Sequence, residues 1–397
     1  MDRRDFLTRL SATGAAATLG DALAQAPATG AAPGTIENDF IKKDKAPAMQ
    51  WHSERPLTGS VPAHEHDFEV TPTDRMFVRN NLLVPQIDLR DHRLKITGLV
   101  DKDLELPVLD LPKMFKTVTI QGMLECAGSG RSSYQPAASG TPWLATGGMG
   151  CPQWGGVRLA DVLKAAGLRP GAAHVAGQGG DPSMVATAAP VIRSIPLSKA
   201  MEENTLIAWA MNGEPLPWVH GHPLRLVVPG WVGSASTKWL HTLTVLDAPF
   251  KGTFMNSSYV VPRFPVEPGQ KMPAETLSAQ AWPVKSIITS PAPNARVGTA
   301  GRLTVRGHAW VGEGAVERVE ISADEGKTWQ RATLARAKDK YAWRSFTYEF
   351  QPQSPGYQTF LARAWDDQGN VQPAVSTWNP LGYFWNGWHR VGVVVEA

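Results

Sequence analysis

Cysteine is nearly absent from this chain: 397 residues hold only two, Cys126 and Cys151. A disulfide-stapled fold is thereby excluded, since one bridge at most could form. Long hydrophobic runs are missing too, and no stretch beyond the N-terminus approaches the ~20 apolar residues of a membrane helix. There is no dense Lys/Arg run, and a formal net charge of +3 gives no source for the phosphate neutralisation that DNA or RNA binding needs. The motifs H-E-x-x-H and C-x-x-C-H do not occur, so neither a zincin-type zinc site nor a covalent c-type haem is expected. The close pairs His64/His66 and His220/His222 lack further ligands at zinc-like spacing. No internal repeat or low-complexity tract is found.

What is present is a globular balance, 43% hydrophobic and 19% charged, in a chain too long for one ordinary core, so two domains are expected. Fifteen tryptophans each need apolar surface and an indole N–H partner, which favours β-rich layers and walled pockets. The opening "MDRRDFLTRLSATGAAATLGDALAQA" pairs Arg3 with Arg4, continues into an Ala/Gly/Leu stretch without a helical face, and ends in small-x-small. That is the pattern of a twin-arginine export signal, with cleavage after Ala24 preferred because Pro27 would follow the later site. Arg3, Arg4 and Arg9 balance Asp2, Asp5 and Asp21, so processing leaves the net charge unchanged. A soluble periplasmic protein follows as an expectation. Export in the folded state favours cargo that carries a bound redox group.

Residues 25–69, rich in Ala, Pro and Gly, are expected to form an extended lead-in with little packing of its own. From residue 70 to 283 a mixed α/β domain is expected. "VRLADVLKAAGL" aligns Leu159, Val162, Leu163 and Ala166 on one helical face and stops at Gly167. "SIPLSKAM" offers Ser194 as a cap with Pro196 in the first turn, and "PLRLVVPG" and "LHTLTVLD" read as strands. Residues 250–283 hold many prolines and no sustained period, which predicts a long ordered loop. From Val284 to the C-terminus short strands recur, with a hairpin turn at Glu325-Gly326, and predict an immunoglobulin-like β-sandwich. The overall class is α+β.

Cys126 sits in "LECAGSGRSS", and its residues leave three readings open. It could pair with Cys151 in an oxidising compartment, be an inert core thiol, or be a ligand. Its tiny neighbours leave room for a bulky group to approach the backbone, and a soft thiolate suits a transition metal.

"ECAGSGR" resembles the cysteine motif of the sulfite oxidase family of molybdenum enzymes, whose common forms read C-A-G-N-R-R or C-A-G-N-G-R. Further family-like stretches follow the same order: "FVRNNLLVPQIDLRDHRLKITGLV", then "QWGGVRLADVL", "SIPLSKAM", "AMNGEPLPWVHGHPLRLVVPGWVGSASTKWL" and "AWDDQGNVQPAVSTWNPLGYFWNGWHRV". The resemblance covers roughly residues 70 to 395. It implies a molybdopterin-binding, sulfite oxidase-like domain followed by the sandwich as a dimerisation domain. Cys126 is then the single protein ligand to molybdenum. Arg79 and Tyr259 would orient an anionic substrate, with Arg131 as a further arginine of that pocket or its surround. Phe77, Val78, Asn80 and Asn81, together with Arg79, form the first cofactor segment. His220, Arg225, Ser236, Thr237 and Lys238 would hold the pterin and its phosphate, and Asp181 adds a pterin contact. The implied reaction is sulfite oxidation to sulfate, with electrons leaving to a separate c-type cytochrome. A cytochrome b5-like haem module has no room before residue 70.

Two positions depart from the family pattern. Asn81 stands where many relatives have histidine. Leu381, with Trp385 nearby, stands where animal and plant members read N-L-R-G with an anion-binding arginine. One pocket charge is therefore missing, which implies weaker sulfite binding, a substitute such as Arg131, or a larger or less charged substrate handled by a sulfane or sulfoxide-type relative. A metal-free, disulfide-bonded binding protein is the alternative from another class.

Overall fold

The computed structural model describes residues 34–143, 146–185 and 189–397. The export signal read in residues 1–24 lies outside the described residues. The described chain is mostly strand, and its longest helix, Leu159–Ala166, has eight residues. That helix presents Leu159, Val162, Leu163 and Ala166 to the core and stops at Gly167, whose φ of +74° only glycine tolerates without strain.

Two five-stranded sheets enclose the main core. One runs in the order Ile192–Pro196, His174–Gly179, Leu240–Leu246, Arg93–Gly98, Leu104–Pro107, with Leu240–Leu246 parallel to Arg93–Gly98. The other is built on Leu206–Met211 and Gln153–Arg158, and the short strand Arg225–Val227 also pairs with Leu206–Met211. The apolar positions of both sheets meet with the helix in one cluster that includes Leu94, Ile96, Val162, Ile207, Leu226 and Leu243. Ser194 is not the predicted helix cap. It lies inside Ile192–Pro196, where pairing with His174–Gly179 satisfies the backbone, and its hydroxyl instead accepts from Phe250 N–H at 2.9 Å. The helix starts one residue after Pro196.

The expected lead-in is a folded element wherever it is described. Gln50–Glu54 and Leu57–Ser60 form a sheet with Val78–Arg79, and Asn38–Lys43 is helical. The apolar side chains that overrule the Ala/Pro/Gly composition are Ile36, Ile41 and Leu57, which pack with Val78, Val84, Val219 and Trp239. Between Thr253 and Ser278 the loop-like stretch contains one short helix, Thr253–Asn256, and a hairpin of Val260–Pro262 with Thr276–Ser278.

The C-terminal part is the predicted sandwich. A four-stranded sheet (Lys285–Ser290, Leu303–Trp310, Arg344–Phe350, Thr333–Leu334) faces a five-stranded one led by Val316–Ser322, Gly356–Asp366 and His389–Glu396. Their inner residues, among them Val305, Val319, Phe346, Phe360, Ala362 and Val393, form a separate core. Glu325 and Gly326 both have positive φ, +60° and +84°, and turn the chain as expected, but within a longer connection between the paired strands Val316–Ser322 and Gln330–Arg331, not as a two-residue hairpin. No helix among the described residues is long and apolar enough to cross a membrane.

Candidate active site

Cys126 leaves the end of the short strand Leu124–Glu125, which pairs with Met149–Gly150. Its N–H donates to the Gly148 carbonyl at 2.8 Å and its carbonyl accepts from Ser129 N–H at 2.8 Å, so the loop is fixed on both sides of the thiol. Gly130 then turns the chain at φ +87°, and a Cβ there would lie 2.7 Å from Cβ of Trp385. The small residues thus make room, but on this side the protein fills it itself. Trp385 packs on Gly130, and the Arg131 guanidinium lies where a Cβ on Gly128 would come within 2.7 Å.

The disulfide alternative fails, because Cys126 and Cys151 are both free and buried in different clusters. Cys151 is fully enclosed and takes a contact from Gln121 Nε2 at 3.7 Å. Burial pushes its thiol up to about 12, which keeps it protonated and inert. Cys126 instead opens on a cleft lined also by Phe77, Arg79, Asn81, Asp181, Arg225, Ser236, Thr237, Lys238 and Tyr259.

The cleft is strongly cationic and poor in counter-charge. Arg225 is buried, donates from a terminal guanidinium nitrogen to the His220 carbonyl at 3.1 Å, and its buried Nε has no partner. Lys238 donates to Asn80 Oδ1 and to the Val219 carbonyl at 2.9 Å, so its acceptors are neutral. Desolvation lowers Arg225 to about 9 and holds Lys238 well below the usual lysine range, with Arg225 adding repulsion. Asp181 is the one acid lining the cleft among the described residues, and burial raises its carboxyl against the pull of Lys238. Buried cations with neutral partners and an unpaired N–H describe a site completed by an anion.

Four of the candidate residues lie elsewhere. Val78 is fully buried in the cluster of the first sheet, and Asn80 is buried behind Lys238, its Nδ2 without a partner. His220 does not line the cleft. Its Nε2 lies 2.6 Å from Nζ of Lys45, and burial, with Lys45, Arg225 and Lys238 close by, keeps the ring neutral. Arg131 is not at the cleft either: its Nε donates to the Leu381 carbonyl at 2.8 Å and another nitrogen to the Thr141 carbonyl at 3.3 Å. With those carbonyls as partners the guanidinium is anchored behind the cysteine loop, and it does not stand in for the arginine missing at Leu381.

Tyr259 carries its hydroxyl into the cleft and donates to Asn81 Oδ1 at 3.2 Å. Its ring stacks on Tyr383 at 5.7 Å and 11°, with Arg193 over its outer face at 5.2 Å and Arg131 5.3 Å from Tyr383. Tyr259 has φ +54° and Trp239, also on the cleft wall, φ +49°. Each costs ~1–3 kcal/mol and is held only because surrounding packing over-determines it, as is common at functional sites.

Sequence reasoning passed over Lys45, Arg193, Trp143, Trp239 and Gly233-Ser234. Lys45 bonds the Thr73 and Met76 carbonyls at 2.9 and 3.1 Å, and desolvation lowers it to about 7. Its composition-poor segment hid it. Trp143, buried with an unpartnered indole N–H, packs edge-on to Phe77 at 6.0 Å. Among the described residues no group of three or more His, Cys, Asp or Glu could hold a metal, so a cofactor metal here would rest on Cys126 and its own organic ligand.

Two family models match the chain: an oxidoreductase molybdopterin binding domain over residues 81–254 and a Mo-co oxidoreductase dimerisation domain over residues 277–396. The mitochondrial sulfite oxidase of Mus musculus is 36% identical over 88% of this chain, which spans 66% of that protein's length, just under two thirds. The sulfite oxidase of Arabidopsis thaliana is 33% identical over 81% of this chain and 87% of its own length. Among solved structures, the sulfane dehydrogenase SoxCD from Paracoccus pantotrophus superposes with a TM-score of 0.74 at 29% identity, covering 92% of each chain.

Proposed function

As the chain belongs to the sulfite oxidase family of molybdopterin oxidoreductases, we propose that it oxidises a small sulfur oxyanion, sulfite in the first instance, to its oxygenated product. The observation that carries this reading is a reduced Cys126 opening on a cleft whose buried Arg225 and part-buried Lys238 hydrogen-bond only to neutral groups. The donor set fits the cofactor: a soft thiolate for molybdenum, and cations with a free N–H for the pterin phosphate.

When bound, the molybdenum centre supplies a two-electron couple for oxygen-atom transfer. The side chains do the rest. Cys126 would anchor the metal, and Arg225 and Lys238, with His220 behind them, would hold the phosphate and pterin. Arg79 attracts the substrate anion into a partly buried site where its charge acts with little screening. The Tyr259 hydroxyl, held by the aromatic stack behind it, turns its one O–H from Asn81 Oδ1 to the anion when the anion binds and fixes its orientation. The acceptor for the two electrons would be a separate c-type cytochrome. The paired arginines at the N-terminus support folded export to the periplasm, and the C-terminal sandwich supports a homodimer.

Purified protein tests this directly. One molybdenum per chain and sulfite-dependent reduction of cytochrome c are expected, and a folded protein that takes up no molybdenum on cofactor loading would falsify the reading. A sulfane substrate is the second reading, favoured by Arg131, which spends its hydrogen bonds on the Leu381 and Thr141 carbonyls and leaves the cleft short of one cation. A molybdenum-replete enzyme inert to sulfite but active on a protein-bound or small-molecule persulfide selects it.

A further inference from the structure

The residue before the cysteine makes the most deeply buried ion pair among the described residues. Glu125 and Lys285 are both completely buried, with Nζ to Oε1 at 2.7 Å. The second carboxylate oxygen accepts from Trp310 Nε1 at 2.8 Å, and the Glu125 carbonyl accepts from Trp282 Nε1 at 3.4 Å. The ammonium sits among three indole rings, 5.2 Å from Trp282, 5.7 Å from Trp310 and 5.2 Å from Trp385. Lys285 and Trp310 belong to strands of the C-terminal sandwich, whereas Glu125 ends the strand that leads into Cys126.

A fully desolvated pair is worth little as a source of stability, because hydrophobic side chains of equal volume would serve as well or better. What it supplies is placement. A carboxylate fixed at both oxygens, on a backbone held by Met149 on one side and bridged to Val232 on the other, allows the next residue almost no freedom. Trp385 links the same cage to the turn at Gly130, so both ends of the loop that carries the thiol are clamped from the sandwich.

We propose that Lys285 is a positioning residue for the active-site cysteine, acting through Glu125, and that the C-terminal sandwich thereby forms part of the site and does more than dimerise. The inference rests on Cys126 being the metal ligand. Neither charge needs to titrate. The tryptophan cage and the carboxylate keep the lysine in place, and the lysine in turn keeps the cysteine peptide in register with the cleft.

The test uses the full chain in a Cys151→Ala background, so that Cys126 is the one thiol measured. Lys285→Met removes the charge and keeps the bulk, and Val319→Ala, a cavity in the sandwich core on a strand that carries none of the cage residues, serves as a control of similar thermal cost. In metal-free protein, Ellman's reagent should label Cys126 about tenfold faster in Lys285→Met than in the control, as expected for a loosened loop. In loaded protein the thiolate-to-molybdenum absorption band should shift in Lys285→Met only. Equal labelling rates and an unmoved band in the two variants overturn the proposal. Glu125→Gln, which keeps an oxygen for Trp310, is measured in the same way and decides the matter if Lys285→Met does not fold. Retention of that band in Cys126→Ser would instead overturn the ligand assignment itself, so the two failures are separable.

Discussion

The cleft and the C-terminal sandwich both enclose cations, and they satisfy them in opposite ways. In the sandwich, Glu320 accepts from Arg363 at 2.7 Å and from Trp365 Nε1 at 3.0 Å and faces Arg318 at 3.5 Å, while the two guanidinium groups lie 4.0 and 3.9 Å from the Trp329 and Trp365 rings. Each of these three charged groups has a charged partner within the sandwich. In the cleft, the more deeply buried Arg225 and the part-buried Lys238 lean on carbonyls and an amide. A fold does not leave charges in that condition for its own stability. The difference separates a region built to hold itself together from one built to hold something else.

Removing the thiol breaks the comparison most severely. Cys126→Ser should abolish metal retention and turnover, at least ~10³-fold, because a hard hydroxyl cannot replace a soft thiolate; Cys151→Ala should keep its molybdenum, as elemental analysis of both variants will report. Next come the substrate contacts. Arg79→Gln should lower kcat/KM by about 10²-fold through loss of a charge aimed at the anion, and Tyr259→Phe by about tenfold. Arg131→Met, anchored outside the cleft by Leu381 and Thr141, should stay within about fivefold in steady-state kinetics.

The buried cations sharpen the contrast because the sign of the stability change reverses. In metal-free protein, Lys238→Met should raise stability by about 1–3 kcal/mol by removing an uncompensated desolvated charge. Glu320→Gln should lower it by about 1 kcal/mol by breaking a satisfied pair. Denaturant melts of the apo proteins measure both.

The pH dependence distinguishes the two regions more finely. Desolvation lowers Lys45, beneath the cleft, from 10.5 to about 7, and lowers His308 in the sandwich from 6.5 to about 4. In each window the unfolded chain binds a proton that the folded chain lacks, so stability rises with pH, by up to ~1.4 kcal/mol per unit for each group. Lys45→Met should flatten the rise between pH 7 and 10.5 and leave the acid limb intact. His308→Gln should do the reverse, flattening the fall between pH 6.5 and 4. The smallest effect belongs to the exposed Arg390–Glu325 pair, where Glu325→Gln should leave the denaturant melt unmoved in any condition.

Local pattern carried much of this into view. The helix at Leu159–Ala166 announced itself through its apolar face and terminal glycine, and the sandwich strands through their spacing and the Glu325-Gly326 turn. The cysteine loop and the Arg225 to Lys238 segment were legible because ordered motifs of one family carry them. Composition misled where tertiary contacts overruled it. Three apolar side chains, Ile36, Ile41 and Leu57, fold a segment that reads as a bare linker, and with it bring Lys45 under His220. Ser194 has the chemistry of a cap, but sheet pairing claimed its backbone.

The sequence by itself determined the class of fold, the choice of Cys126 over Cys151 once the motif is read, and most of the cations that ring the cleft, because these depend on residues close together in the chain. Only the tertiary structure decided that Arg131 faces away, that Tyr259 is held in a strained left-handed backbone, and that Lys285 lies against Glu125. Those pairings join residues separated by up to 250 positions, and no local pattern encodes them: which distant groups meet is fixed only when the layers pack and each buried charge must find its partner.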